Sequence, residues 1–192
     1  MELLDLVDEN GMPTGQVKER TLVHRDGDRH RTSHVWLVRR REGSWQVLLQ
    51  KRSDSKDSHP GCYDISSAGH IPAGEDWLTS ACRELREELG LTVPLNALHE
   101  VGIRRFYWEG MFYGQPFRDR QVSKVYYLLW DGDPTALALQ KSEISRALWM
   151  ELAACYRRIQ DGTLPNCIFP GELEMLAGVL DVVLSRKTNT DN

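Results

Sequence analysis

The sequence predicts an α/β protein in which a mixed β-sheet lies between helices, an α/β/α sandwich. Three observations lead there. Short runs of β-branched and aromatic residues recur on both sides of one long amphipathic segment, residues 76–90. A second amphipathic segment, Glu172 to Leu184, closes the chain behind Pro170-Gly171. Neither an internal repeat nor a low-complexity linker divides the 192 residues, so 1–186 is expected to form a single domain with the KTNTDN tail, 187–192, disordered.

Taken in order, residues 2–7 (ELLDLV) suit a short strand and Asp8-Glu9-Asn10-Gly11 a turn. Residues 15–23 either extend that strand or begin a helix, and Asp26-Gly27 marks a tight turn. His34 to Arg40 and Trp45 to Arg52 read as a hairpin joined at Glu42-Gly43-Ser44. A polar loop, 53–61, precedes a short strand from Tyr63 to Ser67. Beyond residue 91, Leu95 to Phe106 suits a strand, Tyr107 to Arg120 a long aromatic loop, and Gln121 to Trp130 the strongest strand of the second half. Glu143 to Trp149 suggests a further strand and Glu151 to Gln160 a helix.

Composition excludes several classes of function. With 24 basic against 28 acidic residues the net charge is −4, so there is no basic footprint for nucleic acid. No apolar run approaches the roughly 20 residues that span a bilayer. The acidic start, MELLDLVDEN, lacks the basic region of an export signal. Cys62, Cys82, Cys155 and Cys167 show no metal-binding spacing and are expected to be reduced thiols of a cytoplasmic protein.

The chemistry concentrates in Gly69–Leu91, GHIPAGEDWLTSACRELREELGL. Leu78, Cys82, Leu85 and Leu89 recur at helical spacing and form an apolar stripe. Asp76 suits the N-cap and Gly90 a left-handed C-cap. Glu84, Glu87 and Glu88 stand at i, i+3, i+4 and share another face, with Arg83 one turn before Glu87. Like charges so placed destabilise a bare helix, and a divalent cation would offset them. Carboxylate oxygens suit Mg²⁺ or Mn²⁺ rather than zinc. Taken alone, an acidic cluster of this kind is more often a solvated helix face.

The complete spacing tips that balance. Gly69, Glu75, Arg83-Glu84-Leu85, Glu87-Glu88 and Gly90-Leu91 match the Nudix box at every defined position, so the segment resembles the Nudix hydrolases. The resemblance implies a Nudix α/β/α sandwich with the box helix against the mixed sheet. It implies metal binding by Glu84, Glu87, Glu88 and the backbone carbonyl of Gly69. Arg83 would orient a glutamate, and a box carboxylate, Glu84 or Glu87, would assist proton removal. Glu75 stands equally as a supporting residue or as part of the helix start. The implied reaction is hydrolysis of a nucleoside diphosphate-type or other diphosphate-linked small molecule, with Mg²⁺ or Mn²⁺ neutralising the phosphate oxygens.

The N-terminal extension, 1–33, and the GH that opens the box are similar to the isopentenyl-diphosphate isomerase branch of the superfamily. Isomerases carry a catalytic cysteine directly before the first box glycine, where this chain has Ala68, and a glutamate pair on a later strand, where it reads RDRQVSKVYYLL. Addition and removal of a proton at an alkene needs an acid and a base. Both are missing, so hydrolysis on an isomerase-like scaffold is the reading, with the isomerase and a non-catalytic diphosphate-binding module as alternatives. In the isomerases, histidines matching His70 and resembling His24 and His30 help bind a metal. Without the glutamates a full site is not expected, and ordinary surface or hydrogen-bonded histidines are favoured; His34, His59 and His99 are read as surface or loop residues.

For the substrate, Arg52, Arg104, Arg118 and His70 are the candidates, since arginine forks match phosphate geometry. Tyr107, Trp108, Phe112 and Tyr113 suit ring stacking, or, the favoured alternative, core or homodimer contacts.

Overall fold

The computed structural model describes residues 1–56, 58–112 and 114–184; the expected disordered tail, 187–192, lies outside the described residues. The chain opens with a small antiparallel sheet of β1 (Leu3–Val7) and β2 (Pro13–Glu19). Helix α1 (Arg20–Asp26) follows and ends at Gly27, whose φ of 76° is left-handed. The ambiguous segment 15–23 therefore contains the end of a strand and the start of a helix.

Strands β3 (Arg29–Arg41) and β4 (Ser44–Arg52) form the expected hairpin, but they pair only from Val38↔Val47 to Arg41↔Ser44. Past that point they diverge. Strand β6 (Ser67–His70) pairs with β3, from Val35↔Ser67 to Thr32↔His70, while β5 (Tyr63–Asp64) pairs with β4. The single strand expected over 63–67 is thus two short ones inserted into the gap. Strand β3 begins earlier than its apolar pattern suggests because His30, Arg31, Thr32 and Ser33 are buried polar residues.

The box helix α2 (Trp77–Leu89) comes next, followed by β7 (Leu98–Phe112), β8 (Gln115–Leu129), β9 (Ile144–Glu151), α3 (Leu152–Gln160) and α4 (Pro170–Val179). Strand β8 runs parallel to β3 from Arg29↔Arg120 to Val38↔Leu129, and β9 pairs antiparallel with β4. The long aromatic loop expected over 107–120 is instead hairpin: β7 and β8 pair without a break from Glu109↔Arg118 to Phe112↔Gln115. Gly110, Gly114 and Pro116 resemble loop signals, yet a hairpin reaching into solvent is held by its backbone ladder and needs no apolar alternation. Helix α4 also stops short of Leu184, with Asp181 turned to a left-handed φ of 55°.

Alternation along β3 divides the interior in two. Val35 and Leu37 face α2, packing with Leu48, Leu128 and the helix residues Ala81, Leu85 and Leu89. Trp36 and Val38 face α3 and α4, packing with Val47, Leu49, Leu173 and Leu176. Helices on both faces of a mixed sheet give the expected α/β/α order. Each fully buried leucine contributes roughly 1.5–3 kcal/mol, which fixes the height and rotation of α2 over β6.

Candidate active site and metal positions

Both ends of α2 are capped as its sequence requires. Asp76 accepts hydrogen bonds from the backbone N–H and the hydroxyl of Thr79, at 3.0 and 2.7 Å. At the other end Gly90 has φ 72°, and its N–H reaches the carbonyl of Arg86 while Leu91 N–H reaches that of Leu85. A Cβ at Gly90 would overlap Ala138, so close packing and backbone conformation both call for glycine.

The three box carboxylates are not equivalent. Glu84 and Glu88, one turn apart, point inward at β6, Glu88 buried and Glu84 half-buried, whereas the Glu87 side chain is 47% exposed at the rim. Glu84 lies against Gly69 so closely that any Cβ there would overlap its carboxyl group. Glu88 Oε2 accepts from the Ser67 hydroxyl at 2.6 Å and from the Ala68 N–H at 3.3 Å. Arg83 ties the group together: its Nη1 lies 2.9 Å from Glu84 and 3.2 Å from Glu87, and its Nη2 donates to the His70 carbonyl at 3.3 Å. Glu75 sits 3.7 Å from Arg83 Nε and accepts from Ser80 at 2.9 Å. It supports the arginine and the helix start at once.

Burial pushes the Glu84 carboxyl up to about 7 despite Arg83, and burial pushes Glu88 up to about 8 despite its two donors. Two inward carboxylates whose charge is incompletely matched form a set of hard oxygen donors, and this fits Mg²⁺ or Mn²⁺.

A second cluster lies on the far side of the same strand. His24 from α1, His30 from β3 and His70 from β6 bring ring nitrogens within 4.8 Å of one another. His24 Nε2 and His70 Nε2 are 3.2 Å apart. Asp119 of β8 places Oδ1 3.5 Å from His30 Nε2 and 3.9 Å from His24 Nδ1. His30 Nε2 and Asp119 Oδ1 are buried without a hydrogen-bond partner among the described residues. Burial lowers all three histidines, His24 to about 4, and so favours the neutral imidazoles that act as ligands. None of the three is a surface histidine; the hydrogen-bonded alternative is the one the structure matches, with His24 Nδ1 3.4 Å from the Arg118 carbonyl and His30 Nδ1 3.1 Å from that of Asp28. His34 is not a surface residue either: it is buried and its Nδ1 lies 2.9 Å from Glu172.

A family model described as "NUDIX domain" matches residues 28–166. The chain belongs to the Nudix family. Among curated relatives of this Nudix protein, Nudix hydrolase 3 of Arabidopsis thaliana is 44% identical over 146 residues, which is 75% of this chain but only 18% of that one. An uncharacterized Nudix hydrolase of Clostridium acetobutylicum is 34% identical, covering 79% of this chain and 70% of that protein. An isopentenyl-diphosphate Delta-isomerase of Pectobacterium atrosepticum is 32% identical over 67% of this chain and 66% of its own. A crystal structure from Deinococcus radiodurans shares the fold, with TM-score 0.65 and 22% identity over 90% of this chain and 98% of that one.

The substrate candidates of this Nudix chain do not converge. His70 belongs to the histidine cluster, and its carbonyl faces Arg83. Arg52 is held by Asp64 at 3.2 Å and by Ser58. Arg104 stands 3.3 Å from the buried Glu172 and stacks on Phe106 and Phe169, so its charge is already matched. Arg118 is the clear departure: its guanidinium donates to the Arg25 carbonyl and its aliphatic stem packs over Gly27. Tyr107 and Trp108 are exposed on β7, and Tyr113 lies outside the described residues. Sequence reasoning missed Asp119 and Ser67. Asp119 lay within the RDRQ segment, where a glutamate was sought and an aspartate stood.

Proposed function

We propose that this Nudix hydrolase cleaves a phosphoanhydride in a diphosphate-linked small molecule, of nucleoside diphosphate type or with another attached group, using Mg²⁺ or Mn²⁺. The observation that carries the reading is the pair of inward carboxylates, half-buried Glu84 and buried Glu88, packed against the backbone of Gly69 and Ala68. Glu84, Glu87, Glu88 and the Gly69 carbonyl are the residues assigned to hold the cation. When bound, the cation neutralises the diphosphate oxygens and lowers the cost of charge on the leaving group. Arg83 keeps Glu84 and Glu87 apart and directed, and Glu84 or Glu87 takes the proton from the attacking water. The inward turn of Glu84 and Glu88 leaves Glu87, at the rim, the carboxylate most accessible to solvent.

The histidine cluster adds a second position. We assign His24, His30, His70 and Asp119 to a second divalent cation, one that accepts imidazole nitrogen. The isomerase reading meets Ala68 in place of a cysteine and Gln121, whose amide is neither an acid nor a base at neutral pH, on the same face as Asp119. Among the described residues no helix is long and apolar enough to cross a membrane, and the four cysteines are free. A cytoplasmic location accords with such thiols. If the protein forms a homodimer, the exposed Tyr107, Trp108 and Met111 of β7 offer the apolar contact.

The test is a panel of nucleotide-sugar, dinucleotide, thiamine and prenyl diphosphates, with and without Mg²⁺, read as the phosphomonoester products of anhydride cleavage and, where the diphosphate is terminal, as inorganic phosphate. Glu88→Gln should lower turnover by about 100-fold or more, since even residues that only support a metal ligand are worth roughly 10–100-fold. Unchanged Mg²⁺-dependent turnover in that variant rejects the ligand assignment. Conversion of isopentenyl diphosphate without phosphate release would select the isomerase.

A further inference from the structure

The two inward carboxylates are held by partners of different character. Glu84 is braced by a full positive charge, Arg83 Nη1 at 2.9 Å. Glu88, 8% exposed, is braced by neutral donors, and both fall on the same oxygen: the Ser67 hydroxyl at 2.6 Å and the Ala68 N–H at 3.3 Å meet at Oε2. Ser67 is itself fully buried on β6, opposite Val35 of β3, so its hydroxyl is fixed by the sheet rather than by solvent. No other side-chain oxygen of the described residues is hydrogen-bonded to Ser67, and its donor is committed to Glu88.

Orientation follows from this geometry. With both donors on Oε2, neither Ser67 nor Ala68 occupies Oε1. A cationic brace would compete with a metal for the same negative charge. A hydroxyl holds the group with a dipole and leaves nearly all of its charge to a cation. Ser67 lies two residues before the first box glycine, outside the box motif, so nothing in the box spacing marks it.

We infer that Ser67 is the positioning residue for Glu88, fixing Oε2 through its hydroxyl so that Oε1 is presented to the divalent cation. The inference rests on the reading of Glu88 as a ligand. It concerns how tightly the cation is held rather than the bond-breaking step itself. Loss of the hydroxyl frees the carboxylate to rotate, which weakens metal binding, while a metal-saturated site returns to nearly the same geometry.

The experiment titrates metal-free full-length protein with Mn²⁺, followed by paramagnetic resonance of the free ion, beside the Mg²⁺ activation of diphosphate turnover. Wild type, Ser67→Ala, Ser67→Thr and Glu88→Gln are compared, with melting temperatures for each. The binding lost in Glu88→Gln marks the box share of the titration. For Ser67→Ala the dissociation constant of that share and the Mg²⁺ activation constant should both rise about tenfold. Turnover at saturating Mg²⁺ should stay within about threefold of wild type. Ser67→Thr, which keeps the hydroxyl, should restore the affinity. Wild-type affinity in Ser67→Ala, or an equal loss in Ser67→Ala and Ser67→Thr that follows the melting temperature, overturns the inference. If Glu88→Gln loses no binding, it is the ligand reading that falls.

Discussion

Glu84 lies directly on the α-carbon of Gly69, close enough that the glycine has no room for a side chain. The contact fills the space a Cβ would take and explains why a glycine without a left-handed φ suits that position. Gly69→Ala should therefore lower stability by about 1–3 kcal/mol, the usual cost of forced overpacking. It should also remove most metal-dependent turnover by displacing Glu84. Thermal denaturation and the rate of anhydride cleavage measure the two effects. Full activity in a folded Gly69→Ala protein would mean that Glu84 does not need this position.

Stability of the metal-free protein should fall as pH rises. Glu84 and Glu88 are raised by burial to about 7 and about 8, from an ordinary value of 4.5. A group raised in the folded state contributes its full stability below the unfolded value and loses it as pH climbs through the folded one. The window is thus about pH 4.5 to 8, with an effect on the order of 1–3 kcal/mol per carboxylate. Added Mg²⁺ should raise the melting temperature more at pH 8 than at pH 5. Equal Mg²⁺ stabilisation at both values would contradict this.

Glu172, almost fully buried at the start of α4, behaves oppositely. Burial opposes its charge, yet the His34 charge and hydrogen bond, the Arg104 charge and the Trp36 N–H outweigh it and hold the carboxyl below the usual range. A depressed carboxyl contributes stability above its unfolded value and loses it as pH falls through the folded one. Acid should therefore weaken the contact of α4 with β3 and β7 below about pH 4.5. Glu172→Gln should cost about 3 kcal/mol at neutral pH by leaving Arg104 buried without its counter-charge. A denaturant midpoint equal to wild type would refute it.

The histidine cluster predicts a spectroscopic result. Co²⁺ added to the protein should give visible absorption that depends on His24, His30 and Asp119. Asp119→Asn should weaken Co²⁺ binding by roughly 10–100-fold. Retention of the spectrum after combined loss of His30 and Asp119 would place the cobalt elsewhere.

The box helix was legible in the sequence to both of its caps, because local spacing alone determines a helix, its apolar stripe and its ends. The inequality of Glu87 and Glu88 was partly legible: at about 100° per residue Glu88 borders the stripe of Leu85 and Leu89 while Glu87 lies opposite it, but the partners of Glu88 on β6, Ser67 and Ala68, were not. The β7–β8 hairpin was misread because Gly110, Gly114 and Pro116 outweighed a pairing that depends on a partner strand rather than on local pattern. His34 and Asp119 were missed for a related reason. Their partners, Glu172 and His30, are remote in the chain, and no spacing rule links such pairs.

The parallel alignment of β3 with β8 gives the carboxylate and histidine clusters different histories during folding. Ser67 and Glu88 are 21 residues apart, so the box half closes through a short loop. Thr32 and Ser123, beside the histidines, are 91 residues apart, so that half waits for nearly half the chain to be laid against itself. A refolding chain should therefore gain its carboxylate position first and its imidazole position last. Bound cobalt at the histidines would then act as a clock for completion of the sheet.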